Sequence, residues 1–265
     1  MSRKIVVTSG KGGVGKTTIV ALLGIALALK KQKVLVVDLD IGLNNLDVSL
    51  NIEQDVVYDL VDVIEEKCTP KQAIIQNKTV ENLFVLPACH FYKTTGLRLE
   101  QLPMVINFLA KDFDFVLLDC PAGIDNMFKV SLMCANESIV VVTPTITSLK
   151  DADKVVSKLF ENSIPITGVV VNKIRGDLVL KKQMFSHLDV SEILKLPCLG
   201  VVPDVDCLSC FSAFECFTLF NKRQFYPFCL IANNLLKDKK DIVDYTKQYR
   251  GICGILRLLL KKLIK

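Results

Sequence analysis

Short runs of apolar, mostly β-branched residues alternate along the chain with longer stretches in which apolar residues recur at helical spacing. The short runs predict seven strands: Ile5–Thr8, Val34–Val37, Leu83–Leu86, Phe115–Leu118, Ile139–Thr143, Gly168–Val171 and Leu199–Val202. Nearly all of them are apolar on both faces, which is typical of a parallel sheet covered by helices on both sides. The helical spacing predicts helices at Lys16–Lys31, Tyr58–Glu66, Leu99–Lys111, Ala152–Asn162 and Val190–Lys195.

Strands that alternate with helices form βαβ units, whose ligand sites lie at the carboxyl ends of the strands. No internal repeat and no linker rich in Gly, Ser or Pro interrupts the pattern. We therefore predict an α/β fold, a mostly parallel sheet with helices on both faces, over residues 1–250. Residues 251–265 are predicted to be a separate C-terminal helix.

The composition is that of a folded protein with a large core. Apolar residues make up 51% and charged residues 23% of the 265 residues, which excludes disordered, collagenous and low-complexity classes. No apolar run approaches the roughly 18 residues that span a bilayer, and the N-terminus lacks the apolar segment of a secretory signal. We expect an intracellular protein whose ten cysteines are reduced thiols.

A glycine-rich loop lies between the first strand and the first helix. Residues 10–18, Gly-Lys-Gly-Gly-Val-Gly-Lys-Thr-Thr, satisfy G-x-x-x-x-G-K-T, the phosphate-binding loop of P-loop NTPases. The backbone N–H groups of such a loop converge on phosphate oxygens, and the following helix N-terminus adds a favourable dipole. Lys16 would neutralise the β- and γ-phosphates, and Thr17 would place its hydroxyl on Mg²⁺. The residues expected to bind nucleotide here are Gly12, Gly13, Val14, Gly15, Lys16, Thr17 and Thr18.

The same glycines also match the dinucleotide fingerprint G-x-G-x-x-G, with Asp38 after the second strand as a candidate ribose-binding acid. That fingerprint does not require a Lys-Thr pair at the start of the helix, so the phosphate loop explains more of the sequence. An ordinary glycine-rich turn is the third explanation, and the strand–loop–helix context disfavours it.

A second acid supports a Mg-nucleotide site. Asp119 ends an apolar strand, where the acid that holds the Mg²⁺ shell usually stands, and Gly123 follows it closely enough for a backbone N–H to approach the γ-phosphate. Taken alone, Asp119 would more often cap the end of a strand. Together with the phosphate loop, it predicts a Mg²⁺ ligand.

The sequence Asn172-Lys173-Ile174-Arg175 follows a buried strand and is close to the guanine-binding pattern N-K-x-D. Guanine presents N1–H and N2–H₂ donors, which need an acceptor at position 175, and arginine has none. Asn172 can still bind adenine, because an amide both donates and accepts hydrogen bonds. These residues favour ATP over GTP.

Lys11 is not required by the general motif, and its presence resembles the deviant Walker A ATPases, the family that includes MinD and ParA. Further segments resemble the MinD branch of this family: Val37–Asp47, Val57–Asp59, Glu81–Ala88 and Asp119–Asp125. The resemblance covers roughly residues 3–206, with its segments in the expected order.

The resemblance implies three catalytic residues, Lys11, Lys16 and Asp40. Lys11 would reach across an ATP-dependent homodimer to the partner's phosphates, and Asp40 would orient the attacking water. Because Asp40 is too acidic to be a strong general base at neutral pH, catalysis would rest on positioning and charge stabilisation. The enzyme would then be a slow ATP hydrolase that acts as a switch, and Gly123 would belong to its second switch segment.

The resemblance also implies residues at the Mg²⁺ end and at the adenine end of the site. It adds Asp38 to the Mg²⁺ ligands Thr17 and Asp119, and it places the turn Pro203-Asp204 beside Asn172 at the adenine.

A partner surface is implied at Ser148–Lys154, which resembles the helix start that relatives use for dimer and partner contacts. A capped helix with a solvated first turn explains the same residues. The implied partners are a division inhibitor and an ATPase activator of the MinC and MinE type.

Residues 207–220 depart from the family pattern, because they are rich in Cys and Phe. Cys207 and Cys210, with Cys216 and Cys229 nearby, are compatible with a metal or iron–sulfur site. Their spacing fits no familiar ligand pattern, and the other scattered cysteines favour the use of Cys as a small apolar residue.

Residues 251–265 are amphipathic. At 100° per residue, Ile252, Ile255, Leu256, Leu259, Leu260 and Leu263 fall on one side, and Arg250, Arg257, Lys261 and Lys265 fall on the other. The segment is too short and too charged to span a bilayer. A helix packed on the domain is one explanation, and the resemblance implies the other, a helix that binds an anionic membrane surface.

Together these features predict a Mg-ATP-dependent dimerising ATPase that binds the membrane reversibly and regulates septum placement. Its place would be the cytoplasm at the inner face of the cell membrane, or the stroma and inner envelope of a plastid. A ParA-like partition ATPase, the alternative, would bind DNA through basic residues on the folded domain. Here a conspicuous basic cluster lies in the C-terminal segment, so we expect no nucleic-acid partner. An iron–sulfur carrier ATPase is the third hypothesis.

Overall fold

The apolar runs of the sequence become the strands of one sheet. The computed structural model describes residues 2–42, 45–89, 98–206, 208, 212–219, 222–237 and 240–251. Its strands are β1 (Arg3–Thr8), β2 (Val34–Asp38), β3 (Ile75–Gln76), β4 (Leu83–Leu86), β5 (Phe115–Asp119), β6 (Glu137–Val142), β7 (Ile166–Ile174) and β8 (Cys198–Pro203). They lie in the order β3-β4-β2-β5-β1-β6-β7-β8, and all neighbours are parallel except the pair β3 and β4.

The helices cover both faces of this sheet. They are α1 (Lys16–Ala28), α2 (Leu46–Ser49), α3 (Leu60–Ile64), α4 (Leu102–Leu109), α5 (Asn126–Cys134), α6 (Ile146–Glu161), α7 (Gly176–Leu180), α8 (His187–Leu194), α9 (Ala213–Leu219) and α10 (Lys222–Lys237). Helices α1, α2, α9 and α10 share a core with alternate strand residues such as Ile5 and Val7. Helices α3, α4, α5, α6 and α8 pack with the intervening residues, such as Val6. The predicted mostly parallel α/β fold is therefore confirmed.

Helix α1 is buried along most of its length, because the sheet lies against it on one side and α10 on the other. The approach to the sheet is close at Gly24, where a Cβ atom would lie 2.9 Å from Cγ2 of Val36. A helix held on two sides in this way gives the loop that precedes it a fixed base.

Helix α6 begins at Ile146, six residues before the predicted start at Ala152. The hydroxyl of Thr145 accepts a hydrogen bond from the backbone N–H of Ser148 at 3.4 Å and caps the helix. The hydroxyl of Ser148 in turn accepts from the N–H of Thr143 at 3.1 Å. This bond takes Thr143 out of the strand ladder, so β6 ends at Val142 and the predicted strand end was wrong by one residue.

Other predicted helices have shorter α-helical cores. The helix predicted from Tyr58 begins at Leu60, because Asp59 caps it through the backbone N–H of Val61 and of Asp62. The first helix ends at Ala28, short of the predicted end. The region predicted at 99–111 consists of α4 between two short 3₁₀ turns, at residues 99–101 and 110–112.

The sequence did not predict the strand β3 or the helices α2, α5, α7, α9 and α10. Helix α5 is capped by Asp125, whose carboxylate accepts from the N–H of Phe128 at 3.1 Å. Helix α10 contains Pro227, a residue that ordinarily argues against a helix. In the described part of the chain, every helix is too short or too polar to cross a lipid bilayer.

The chain after α10 packs back onto the domain. The side-chain amide of Asn234 donates to the carbonyl oxygens of Leu199 at 2.9 Å and Asp241 at 3.0 Å. A Cβ atom on Gly176, at the start of α7, would lie 2.2 Å from the carbonyl oxygen of Tyr245. The chain as far as Tyr245 therefore packs on the folded body. Residues 252–265 of the predicted C-terminal helix lie outside the described residues.

Arg3 ties β1 to two other elements. Its Nε donates to Oε1 of Glu137 at 2.8 Å, and its guanidinium also donates to the carbonyl oxygen of Leu235 in α10. Burial tends to raise the pKa of Glu137, but the hydrogen bond and charge of Arg3, helped by a hydrogen bond from Thr167, outweigh it and lower that pKa below its usual value.

Glu137→Gln should lower the free energy of unfolding at pH 7 by about 1 kcal/mol, because it removes the charged acceptor of Arg3. The folded-state pKa of Glu137 is lowered, so its stabilisation is present above the unfolded-state pKa of about 4.3 and is lost as pH falls through the folded-state pKa. Urea unfolding of both proteins at pH 7 and at about pH 3 measures this. A difference that stays the same at both pH values would contradict the assignment.

Candidate functional site

The predicted phosphate loop joins the carboxyl end of β1 to α1. Gly13 and Gly15 have φ angles of 75° and 87°, in the left-handed region that glycine adopts without strain. Gly15 is the N-cap residue of α1 and has no side chain that could accept a hydrogen bond from the first turn. The backbone N–H groups of that turn therefore remain available to bind an anion. A Cβ atom on Gly12 or Gly13 would meet no heavy atom within 4 Å, so the space beside them is open to a ligand.

The start of the loop lies against the backbone of α6. A Cβ atom on Gly10 would be 2.2 Å from both the carbonyl carbon and the carbonyl oxygen of Asp151, and 2.6 Å from the backbone nitrogen of Ala152. Glycine is therefore required at position 10 by packing inside the chain. The contact fixes the loop relative to the first turns of α6.

Lys16 and Asp119 form a buried ion pair at the base of the loop. Nζ of Lys16 lies 3.1 Å from Oδ1 of Asp119, and their side chains are only 8% and 1% exposed. Burial alone would lower the pKa of Lys16, but the charge of Asp119 and the hydrogen bond to it outweigh burial and raise that pKa. Lys16 therefore keeps its positive charge at the start of α1, as binding of phosphate requires.

Asp38 lies directly beside Asp119, because the two residues are register partners on β2 and β5. Its carboxylate accepts hydrogen bonds from the backbone N–H of Asp40 at 2.9 Å and of Leu46 at 3.2 Å. Burial, followed by repulsion from Asp119, raises the pKa of Asp38 to about 7. Two neighbouring buried carboxylates of this kind are stabilised by a cation.

The predicted Mg²⁺ ligands fit that ion in their chemistry. Asp38 and Asp119 offer carboxylate oxygens, and Thr17 offers a hydroxyl from the first turn of α1; oxygen atoms are the ligands that Mg²⁺ prefers. Among the residues that the structure describes, no cluster of three His, Cys, Asp or Glu side chains forms a metal site. A site with two carboxylates is nonetheless ordinary for Mg²⁺, which is usually held by one or two carboxylates, water and substrate phosphates.

Asp40 is half-buried near these groups. Burial raises its pKa, Lys16 opposes this effect, and repulsion from Asp119 and Asp125 adds to it. Its predicted role, to orient the attacking water, stays a prediction.

The predicted adenine residues lie together at the other end of the loop. A cleft of about 310 Å³ is lined by Asn172, Pro203 and Asp204 together with loop residues such as Gly13 and Gly15. The side-chain amide of Asn172 also donates to the carbonyl oxygen of the loop residue 14 at 2.7 Å. Asn172 thus borders the cleft and holds the loop at the same time.

Arg175, the residue that argued against guanine, pairs with a buried acid. Its Nη2 lies 2.7 Å from Oδ2 of Asp177, and its Nε lies 3.3 Å from Oδ1. Position 175 therefore presents a cation that is already bound to its own carboxylate.

Three other predicted features lie around the loop. The side chain of Lys11 is exposed, and Gly123, with φ 101°, donates its N–H to the carbonyl oxygen of Ser9 at 3.3 Å. The segment Ser148–Lys154 forms the first turns of α6, where Lys154 pairs with Asp151 at 3.1 Å.

The cysteines of the alternative metal site are only partly described. Cys207 and Cys210 lie outside the described residues, Cys216 is buried in α9, and Cys229 is half-buried in α10.

Two features of the site were missed from the sequence. Lys173 donates from Nζ to the carbonyl oxygen of Gly13 at 2.9 Å, and Gly10 abuts α6. The pair Asn172-Lys173 is part of a pattern close to the guanine signature, and its lysine is the sequence signal for this contact. The packing of Gly10 had no local signal, because it depends on a residue more than a hundred positions away.

Comparison with known proteins gives a family. The family model of the CobQ/CobB/MinD/ParA nucleotide-binding domain matches residues 5–214. The putative septum site-determining protein MinD of Emiliania huxleyi is 45% identical over 204 residues, which cover 77% of this chain and 75% of that protein. The septum site-determining protein MinD of Bacillus subtilis is 41% identical over 208 residues, 78% of each chain.

Solved structures agree. The structure of a MinC:MinD cell division complex from Aquifex aeolicus matches with a TM-score of 0.84 and 32% identity, over 91% of this chain and 99% of that one. The septum site-determining protein MinD of Pyrococcus horikoshii in complex with Mg-ADP matches with a TM-score of 0.80 and 29% identity, over 89% of this chain and 97% of that one.

Gly10→Ala should lower the free energy of unfolding by about 2 kcal/mol, because its Cβ atom would overlap the backbone of α6. Gly12→Ala is the matched control, since a Cβ atom there meets nothing, and it should change that free energy by less than about 0.5 kcal/mol. Urea unfolding without nucleotide tests both. Equal stabilities for the two variants would show that the loop does not rest on α6 as described.

Proposed function

The chain belongs to the CobQ/CobB/MinD/ParA nucleotide-binding family and to its MinD branch, and from this premise we propose that it is a Mg-ATP-dependent switch ATPase of division-site placement. The observation that carries the proposal is the buried pair of Lys16 and Asp119 beneath an open glycine loop, with Asp38 alongside. Phosphate binding explains why charge is buried at this place.

The chain's own residues divide the work of hydrolysis. Lys16 and the loop N–H groups bind the phosphates, and Thr17, Asp38 and Asp119 would hold Mg²⁺, which supplies charge neutralisation when bound. Asp40 accepts hydrogen bonds from the attacking water and positions it. Because an aspartate is a weak base near neutral pH, its contribution would be to position the water, and hydrolysis would be slow.

Nucleotide state would control assembly through Lys11. Its exposed position in the loop is suited to contact with phosphates bound by a second copy of the chain. A relative has been solved as a MinC:MinD complex, which supports a MinC-type partner for this chain, and we place the contact at Ser148–Lys154 on α6. An activator of the MinE type is the second proposed partner.

The C-terminal helix would bring the ATPase to the membrane. Its four basic residues and Arg250 directly before it, at about 1 kcal/mol each near anionic lipid, set an upper limit on the electrostatic part of binding, and the apolar face adds to it. One short helix binds weakly, so an ATP-bound dimer that presents two would gain avidity. Hydrolysis would separate the pair and release both, which gives a peripheral protein at the inner face of the cell membrane or of the plastid envelope.

Two substitutions should separate hydrolysis from assembly. Asp40→Ala should bind Mg-ATP and form the dimer but hydrolyse at least about tenfold more slowly, because the phosphate contacts remain while the water is unpositioned. Lys11→Ala should bind Mg-ATP yet stay monomeric. Light scattering with Mg-ATP and a phosphate-release assay measure the two properties, with Lys16→Ala as the variant that loses nucleotide. Full turnover by Asp40→Ala would disprove its assigned role.

Sedimentation with anionic vesicles should require both Mg-ATP and the C-terminal helix. Deletion of residues 251–265 should abolish sedimentation without loss of ATP binding, and Leu259→Glu should do the same by placing a charge on the apolar side. Leu258→Glu is the matched control, because helical geometry puts residue 258 on the basic side, and it should weaken binding much less. Sedimentation of the truncated chain equal to that of the full chain, or ATP-dependent binding to DNA instead, would overturn the membrane proposal.

A further inference from the structure

Two consecutive residues at the end of β7 hold two consecutive carbonyl groups of the phosphate loop. Nζ of Lys173 donates to the carbonyl oxygen of Gly13 at 2.9 Å, and Nδ2 of Asn172 donates to the carbonyl oxygen of Val14 at 2.7 Å. The side chain of Asn172 is itself oriented, because its Oδ1 accepts from the backbone N–H of Lys173 at 2.9 Å. The two side chains thus form one unit.

Lys173 reaches Gly13 from an unusual backbone conformation. Its φ is 58°, in the left-handed region that a lysine enters at a cost. The other described non-glycine residues with positive φ each follow the end of a helix, where this conformation is common: Lys31, Asn51, Glu66, Ser163, Lys182 and Lys195. Lys173 instead lies within β7, where the register with β8 shifts between Val171 and Ile174.

The side chain of Lys173 is exposed, so burial in the core does not explain the conformation. Backbone strain of this kind persists at positions where it serves a function. The hydrogen bond to Gly13 supplies such a function, because the residue with the unusual φ angle in β7 is the residue that contacts the phosphate loop.

Because the peptide unit is planar, a hydrogen bond to a loop carbonyl group also orients the N–H group that follows it. In a trans peptide the C=O and the following N–H point in opposite directions, and no described peptide bond is cis. When Lys173 holds the carbonyl of Gly13, the N–H of Val14 points away from β7. When Asn172 holds the carbonyl of Val14, the N–H of Gly15 does the same. Both N–H groups are thereby oriented before any ligand arrives.

We propose that Lys173 is a positioning residue for nucleotide binding: its ammonium group, together with the amide of Asn172, fixes the peptide planes of residues 13–15 so that their N–H groups face the phosphates. This inference rests on the proposed ATP site. Since β7 also borders the cleft at Asn172, the unit links the base end of the site to its phosphate end.

The test compares Lys173→Met, Lys173→Gly and Lys173→Arg in the full chain, with Lys195→Met as the matched control. Lys195 is also an exposed lysine with positive φ, at 54°, but it ends α8. Affinities for Mg-ADP and Mg-ATP are measured by calorimetry, and exchange of the amides of Val14 and Gly15 is measured by NMR without nucleotide.

Lys173→Met should lower the affinity of the protein for both Mg-ADP and Mg-ATP by about fivefold or more. This is the size expected for loss of one charge-assisted hydrogen bond. The amides of Val14 and Gly15 should exchange faster, while the control changes neither property. Lys173→Gly should bind as weakly as Lys173→Met although it relieves the backbone strain, and Lys173→Arg should recover most of the affinity by restoring a cationic donor.

Three results would overturn the inference while leaving the ATP site intact. They are parental affinity in Lys173→Met, parental affinity in Lys173→Gly, and an equal loss in Lys195→Met. Failure of the parent chain itself to bind Mg-ATP would instead disprove the proposed function on which the inference rests, so the two failures are distinguishable.

Discussion

The buried ion pair between Lys16 and Asp119 is the constraint on which the site depends. A lysine and an aspartate with side chains only 8% and 1% exposed must stay together, because either charge alone would be costly to bury. The pair therefore fixes the first turn of α1 against the end of β5. The parallel register of β2 and β5 then sets Asp38 beside Asp119, and burial, followed by repulsion from Asp119, raises the pKa of Asp38.

Apolar packing around the ion pair holds the phosphate loop in place. Helix α1 lies between the sheet and α10, so the loop before it starts from a fixed helix end. At its other end the loop rests on α6 at Gly10, and on its flank it is held by Asn172 and Lys173. A flexible, glycine-rich segment is thus ordered by contacts from three separate elements, which spares the protein much of the entropy loss that binding would otherwise involve.

The sequence predicted those parts that depend on local pattern. Apolar runs marked the core strands, because a strand buried on both faces has no polar alternation, and the loop motif located the residues that the structure gathers around Lys16. It failed where a single side-chain contact decides, whether that contact is local or distant. The start of α6 depends on a hydroxyl pair at Thr145 and Ser148, and α10 contains a proline that a buried helix tolerates. The role of Lys173 depends on a partner 160 positions away.

The close contact between Gly176 and Tyr245 determines where the last part of the chain leaves the domain. Gly176 is the first residue of α7 and follows β7 almost directly. The last part of the chain therefore leaves the domain beside α7, near the end of β7. As the proposed helix, residues 252–265 would extend about 21 Å from that point at 1.5 Å per residue. A membrane bound by this proposed helix would then face the α7 side of the domain. The close packing at Gly176 would in that way contribute to the orientation of the ATPase on the lipid surface.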